Sequence, residues 1–207
     1  MLALGLSSLQ LMLDRGAQKD WFDSLEIWIE TGVALACLWM FLIHLLTARD
    51  TLFDRRMLAD RNLLTALGFM IVIGIVMFSS MALLPPMLQR LFDWPVIDTG
   101  WVLAVRGVGI LISMWIAGRL MGRIDARWLV GSGLVIAAYS LWQMSQWSLM
   151  MGVGPVVVSG LVQGLGMGLV FIPLNTMAFA TLGPAWRTDG ASLLNLFRSV
   201  GASVGIS

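Results

Sequence analysis

The sequence predicts an all-α polytopic membrane protein, and three of its features support that prediction. Hydrophobic residues make up 58% of the 207 residues and charged residues only 12%, which is far from the composition of a water-soluble domain. The mean hydropathy is +0.86. Apolar runs of roughly 20 residues, enough to cross a hydrocarbon core of about 30 Å, recur between charged or Gly/Pro-rich breaks.

The first three complete spans are bounded by charges, prolines or polar caps. The second is predicted to end at Pro85 and Pro86, because proline lacks the N–H group that continues a helix. The third is predicted to open at Asp98 and Thr99, which are typical capping residues. These three spans are 27–47, 63–84 and 98–118.

Two further spans share one uncharged stretch. No charged residue lies between Arg127 and Arg187, and at about 1.5 Å per residue this stretch is too long for a single crossing. The Gly-Val-Gly-Pro segment 152–155 is the predicted break, so the spans are 128–150 and 155–182. The apolar stretches at the two ends, 1–13 and 192–207, resemble helices cut in the middle. The prediction is five full transmembrane helices plus two truncated ones.

Charge and chemistry exclude several functional classes. A net charge of +1 provides no basic field for nucleic acid. The single cysteine, Cys37, excludes an internal disulfide and a thiolate metal cluster. A catalytic pairing of His44 with Ser159 or Cys37 has no support in the spacing. We therefore expect no enzyme activity, no metal and no cofactor.

The loops predict the orientation, because cytoplasmic loops retain Lys and Arg residues. One alternating set of loops carries three of them, Arg15, Lys19 and Arg90. The other set carries eight and is predicted to be cytoplasmic: Arg49, Arg55, Arg56, Arg61, Arg119, Arg123, Arg127 and Arg187.

Small and polar residues recur every fourth position in the span 155–182. Gly160, Gly164 and Gly168 predict a tight helix contact, since small residues let backbones approach closely inside a bilayer. A second row on this helix consists of Gln163, Met167, Phe171 and Asn175, with Pro173 between its members. This row either lines a cavity or serves packing and hydrogen bonding between helices.

Buried charges are the remaining candidates. Arg106 lies about 10 Å into its span, where it either has a functional role or extends its side chain to the interface. Arg198 and Asn195 lie on roughly the same helix face near the cytoplasmic side. His44 is more typical of a neutral interfacial histidine than of a proton switch. No carboxylate lies deep within a complete span, and Glu30 comes nearest.

The short basic turn 118–127 joins two spans. Its arginines and Asp125 either pair with a neighbouring helix end to lock a cytoplasmic closure, or only set the topology. Gly118, Leu120, Arg123 and Arg127 resemble a degenerate second copy of the loop motif G-x-L-a-D-r-x-G-r-r of the major facilitator superfamily.

Other segments resemble one branch of that superfamily, the fourteen-helix drug:proton antiporters. The segment 9–16, followed by 20–22, is similar to the region after their seventh helix. The segment 195–201 with Gly205 resembles their thirteenth helix. The residues 163–166 resemble the second half of the R-x-x-Q-G-x-G motif.

This resemblance implies a partial major facilitator fold. Residues 1–62 would hold the end of helix seven, a periplasmic loop, helix eight and a cytoplasmic linker, and residues 63–207 would hold helix nine to the start of helix thirteen. It also implies candidate cavity residues: Arg106, Gln163, Met167, Phe171, Asn175, Asn195 and Arg198.

The function that the resemblance implies is proton-coupled export of drugs or other toxic amphiphilic compounds across the bacterial inner membrane. The expected partners are small amphiphilic substrates, protons and the lipid bilayer, together with a periplasmic adaptor and an outer-membrane channel. The alternative is a non-transporting structural membrane fragment from a truncated gene.

The predicted orientation can be tested by cysteine labelling in a Cys37→Ser background. A membrane-impermeant maleimide applied to intact cells should modify Lys19→Cys and spare Arg55→Cys, because the two positions lie in loops on opposite sides. The reverse labelling pattern would show that the orientation is wrong.

Overall fold

The computed structural model describes residues 2–16, 19–47, 57, 59–148, 151–183 and 186–206. Within these residues it contains no β-strand, only an isolated bridge between Met121 and Ile124. The seven described α-helices are α1 (Leu2–Gly16), α2 (Leu25–Thr47), α3 (Arg61–Arg90), α4 (Val96–Leu120), α5 (Ala126–Ser145), α6 (Val153–Ala180) and α7 (Arg187–Ile206). The prediction of an all-α fold is confirmed.

Four described helices are long and apolar enough to cross a membrane: Leu25–His44, Arg61–Arg90, Val96–Leu120 and Val153–Ala180. The fourth predicted span, 128–150, corresponds to α5, which has 20 residues and is therefore about 30 Å long. Several polar side chains lower its hydropathy, namely Arg127, Ser132, Ser140, Gln143 and Ser145. The protein is thus a multi-pass membrane protein, and the crossing by α5 stays a prediction.

Two predicted boundaries are wrong. Helix α3 does not stop at Pro85 and Pro86 but continues to Arg90. A proline removes one donor while its fixed φ suits a helix, and membrane helices tolerate prolines when neighbouring groups take up the freed carbonyls. Asp98 and Thr99 do not cap α4, because this helix starts earlier and Pro95 occupies the cap position.

The other boundaries agree more closely with the sequence. A break between the two spans is present, but it lies earlier than the predicted segment 152–155, because α5 ends at Ser145 and α6 begins at Val153. The last helix starts earlier than predicted, at Arg187. The loop arginines Arg49, Arg55 and Arg56 lie outside the described residues.

The chain divides into two compact units. The first consists of Met1–Ala82 and Thr181–Ser207, and the second of Leu83–Ala180. In the first unit, α1 packs on α2, where a Cβ on Gly5 would lie 3.1 Å from the Cβ of Cys37. The link between these helices carries a charge cluster in which Arg15 Nη1 lies 2.9 Å from Glu26 Oε1 and Lys19 also pairs with Glu26.

In the second unit, α6 packs against both α4 and α5. The apolar core of this unit lies at the start of α6. There Val156 packs with Val102 of α4, and with Leu84 and Leu88 of α3. Helix α6 is the most buried of the four candidate spans, because 56% of the residues in its most apolar stretch are buried. It is therefore the element against which the other helices of this unit are arranged.

Asp60 caps the start of α3. Its Oδ1 accepts from the backbone N–H groups of Asn62 at 2.8 Å and Leu63 at 3.1 Å. A hydrogen bond from the Thr181 hydroxyl holds the pKa of the Asp60 carboxyl below its usual range, and the two backbone donors act in the same direction while burial opposes them. The ionised carboxylate therefore stabilises this helix start.

Replacing Asp60 tests the cap. Asp60→Ala should lower the free energy of unfolding by about 1 kcal/mol at neutral pH, whereas Asp60→Asn should keep most of it, since asparagine caps as well as aspartate. Because the folded pKa is lowered, the contribution of the charge is present above about pH 4 and is lost as the pH falls through the folded value. Unfolding in detergent, followed by circular dichroism, measures both effects. Equal stability of wild type and Asp60→Ala would contradict the assignment.

Candidate functional site

Helices α4 and α6 touch backbone to backbone through the predicted glycines. A Cβ on Gly164 would overlap the carbonyl oxygen of Arg106, and one on Gly168 would overlap the hydroxyl of Ser113. Gly160 is less crowded, because the atoms nearest to an added Cβ would lie 3.9 Å away. The close approach therefore requires glycine at two of the three positions.

The opposite face of α6 makes a similar contact with α5, which the sequence analysis missed. A Cβ on Gly166 would lie 2.7 Å from the carbonyl oxygen of Gly133 and 2.7 Å from the backbone nitrogen of Ala137. Gly133 and Ala137 are four residues apart. A search for small residues at this spacing that included alanine would have found them.

Serine hydroxyls bond to backbone carbonyls at these contacts. Ser113 Oγ of α4 lies 3.0 Å from the carbonyl oxygen of Ile110 in its own helix and 3.4 Å from that of Gly164 in α6. Ser140 Oγ of α5 donates to the carbonyl of Ser159 at 2.7 Å. Ser159 Oγ itself bonds to the carbonyl of Pro155, at 2.9 Å in its own helix. Each of these hydroxyls is thus directed at a backbone carbonyl, of a neighbouring helix or of its own.

Arg106 and Gln163 lie at one level of the α4–α6 pair. Arg106 is 7% exposed and Gln163 is fully buried. The backbone of Arg106 meets Gly164, which directly follows Gln163. Each residue lies about 15 Å along its helix, counting 1.5 Å per residue from Val96 and from Val153. An arginine and an amide are thus enclosed by protein near the middle of two spans.

The rest of the polar row is divided between buried and accessible positions. Met167 is 1% exposed, whereas Phe171 and Asn175 are half-buried. Asn175 Nδ2 donates to the carbonyl of Phe171 at 2.7 Å, so this amide bonds to its own helix. Of this row, Phe171 and Asn175 are therefore the members with accessible surface.

The basic turn between α4 and α5 is tight and solvent-facing. The carbonyl of Leu120 accepts from the backbone nitrogens of Arg123 at 3.0 Å and Ile124 at 3.1 Å. Gly122 has φ +94°, a conformation that favours glycine over the aspartate of the family motif. Gly118 is exposed and has open space around it.

The charges of this turn serve the helix ends in the described structure. Asp125 caps α5 by accepting from the backbone N–H of Arg127 at 3.1 Å. Arg119 lies over the ring of Trp115, with Cζ 3.9 Å from the ring centroid. Arg123 and Arg127 are exposed, and within the described residues neither forms a salt bridge. The lock at the cytoplasmic face stays a prediction.

In the first unit, Asn195 is exposed and Arg198 is half-buried. Helix α7 meets α3 through glycines, since a Cβ on Gly74 would overlap the carbonyl oxygen of Arg198 and one on Gly201 would overlap that of Ile71. The structure thus assigns the Arg198 backbone to helix packing. A shared cavity of Asn195 and Arg198 with the polar row stays a prediction.

The remaining titratable candidates lie in α2. His44 is exposed. Glu30 Oε2 is buried and, among the described residues, has no hydrogen-bond partner. The described residues contain no group of three or more His, Cys, Asp or Glu residues that could hold a metal ion.

Comparison with known proteins places this arrangement in a family context. The sequence model of the Major Facilitator Superfamily matches residues 19–206. The chain is 33% identical over its whole length to the multidrug export protein EmrB of Haemophilus influenzae. It is 32% identical to the fatty acid resistance protein FarB of Neisseria gonorrhoeae and 29% identical to EmrB of Escherichia coli. In each case the chain spans 41% of the relative's length.

The glycine contact gives a matched pair of variants. Gly164→Ala should destabilise the protein by about 1–3 kcal/mol, because the new methyl group overlaps backbone that cannot move without separating the helices. Gly160→Ala should be neutral or slightly stabilising, since its Cβ has room and alanine favours helix. Melting temperature in detergent and abundance in membranes measure the effect. Equal tolerance of both changes would contradict the described contact.

Proposed function

Because this chain belongs to the major facilitator superfamily, we propose that it is part of a permease that exports drugs and other toxic amphiphilic compounds. The proposed location is the bacterial inner membrane, and the proposed driving force is an inward flow of protons. The relatives named above are a multidrug export protein and a fatty acid resistance protein, which supports amphiphiles as the substrate class.

The observation that carries the proposal is the enclosed pair Arg106 and Gln163 near the middle of two spans. Placing an arginine there is costly, so an ionisable residue at this depth points to a substrate or ion pathway. In transporters of this architecture the binding site lies near the bilayer midplane. The guanidinium of Arg106 would favour anionic or dipolar head groups.

The neighbouring row supplies the apolar part of the proposed site. Phe171 offers an aromatic face and Asn175 an amide, and both are partly accessible. Met167 lies one turn before Phe171 and is buried. A wall of this kind suits compounds that combine an apolar body with a polar head.

Proton exchange rests on the resemblance to drug:proton antiporters. Among the described carboxylates, only Glu30 lies beyond the first or last turn of an α-helix. A periplasmic adaptor and an outer-membrane channel are proposed partners on the same basis. Proton coupling is therefore open to a direct test by measuring export with the proton gradient dissipated.

The proposal can be tested by the substrate profile of variants in the complete gene product that carries this chain. Phe171→Ala and Asn175→Ala should change relative resistance to a long-chain fatty acid, a lipophilic cation and an uncharged amphiphile, each by severalfold. Thr176→Ala, an exposed neighbour on the same helix, is the control and should leave the profile unchanged.

Abundance in the membrane must be measured for each variant, because packing damage would lower all activities together. An unchanged profile for Phe171→Ala and Asn175→Ala at normal abundance would show that the row does not contact substrate. A gene product that confers no resistance to any of the compounds would favour the non-transporting membrane fragment instead.

A further inference from the structure

A cavity lies where α5 ends and α6 begins, apart from the polar row. Its volume is about 630 Å³, which is within the range of small-molecule sites. The described residues that line it are Tyr139, Trp142, Gln143, Gln146, Trp147, Ser148, Met151, Pro155 and Val158. All of them belong to the second unit.

One side of the cavity is an aromatic wall. The rings of Tyr139 and Trp142 have centroids 5.9 Å apart and planes inclined by 31°. Both side chains are more than half exposed, at 51% and 60%. Met151 and Val158 add apolar surface. This lining suits a flat or chain-like apolar body.

One of the polar groups that line the cavity is the amide of Gln143. Its Nε2 donates to the Tyr139 hydroxyl over 3.4 Å, whereas its Oε1 is buried and has no hydrogen-bond partner among the described residues. A buried carbonyl oxygen without a donor costs about 1–3 kcal/mol. A half-turn about the terminal side-chain torsion, which is a soft one, places this oxygen where Nε2 now lies beside the Tyr139 hydroxyl of the cavity lining, and gives up the 3.4 Å hydrogen bond of Nε2.

The lining also limits the charge of the ligand. None of the described lining residues is charged. An ammonium or carboxylate would therefore lose hydration there without gaining a counter-charge, which is costly. An uncharged head group with one N–H or O–H donor would supply the hydrogen bond that Gln143 Oε1 lacks, and it would need no counter-charge from the lining.

We propose that this cavity is a binding site for uncharged amphiphiles whose head group carries an amide N–H or a hydroxyl. The apolar body lies against Tyr139 and Trp142, and the donor bonds to Gln143 Oε1. The site is independent of the proposed export function, since binding here requires neither Arg106 nor transport.

The test uses two photoreactive probes that differ only in whether the amide nitrogen carries a hydrogen or a methyl group. One is a diazirine-bearing N-alkyl acetamide, and the other is its N-methyl twin, which lacks the N–H donor. The full chain is studied in nanodiscs of phosphatidylcholine, whose head group has no hydrogen-bond donor. Mass spectrometry locates the label, and competition gives the affinities.

In the wild-type protein, label should fall within residues 139–158, and the acetamide should bind about fivefold tighter than its twin, as expected for one neutral hydrogen bond. Gln143→Leu should remove this difference. Gln146→Leu is the matched control, because its exposed amide lines the same cavity, and it should keep the difference. Trp142→Ala should weaken both probes equally.

Label outside residues 139–158, or equal affinity of the two probes for wild type, would overturn the proposal without requiring any variant to fold. A preference that persists in Gln143→Leu would overturn the role of that residue. Displacement of the acetamide by phosphatidylethanolamine, which carries a charged donor, would overturn the restriction to uncharged ligands. None of these outcomes depends on export.

Discussion

The backbone of α6 lies against two neighbouring helices, and this contact is the constraint on which the second unit depends. Lipid offers no hydrophobic driving force between helices, so association relies on van der Waals packing and on hydrogen bonds. Gly164 meets α4 and Gly166 meets α5. Any side chain at these two positions would push the helices apart. The position of Arg106 along α4, relative to Gln163 on α6, is therefore set by contact between the two backbones.

The helices themselves could be predicted from the sequence, because hydropathy and charge breaks report the cost of placing polar groups in lipid. The row of glycines on α6 was also visible from its spacing of four residues. The contact of Gly166 with α5 on the opposite face escaped notice, since one of the small residues on α5 is Ala137. The predicted helix end at Pro85 and Pro86 was wrong. A missing N–H weakens a helix only locally, and the groups packed around the prolines decide whether the helix continues.

The candidate site was predictable in its residue types but not in its geometry. The depth of Arg106 depended on where α4 begins, and the helix starts at Val96 rather than at Asp98. Its burial depends on the approach of α6, which sequence spacing suggests but does not measure. The cavity beside Gln143 was missed altogether, because it is formed by a helix end, a helix start and the loop that joins them.

Helix α6 carries both the polar row and part of the cavity lining. A ligand bound in the cavity could therefore affect the polar row through this helix. Pro155 and Val158 line the cavity, and Gln163 lies only one to two turns further along α6. Between and beyond them, the glycine contacts hold α6 at van der Waals distance from its neighbours. Sliding this helix would separate backbones that have no side chains to fill the gap. A ligand in the cavity is therefore expected to act through side chains such as Gln143, while the helix frame around Arg106 stays in place.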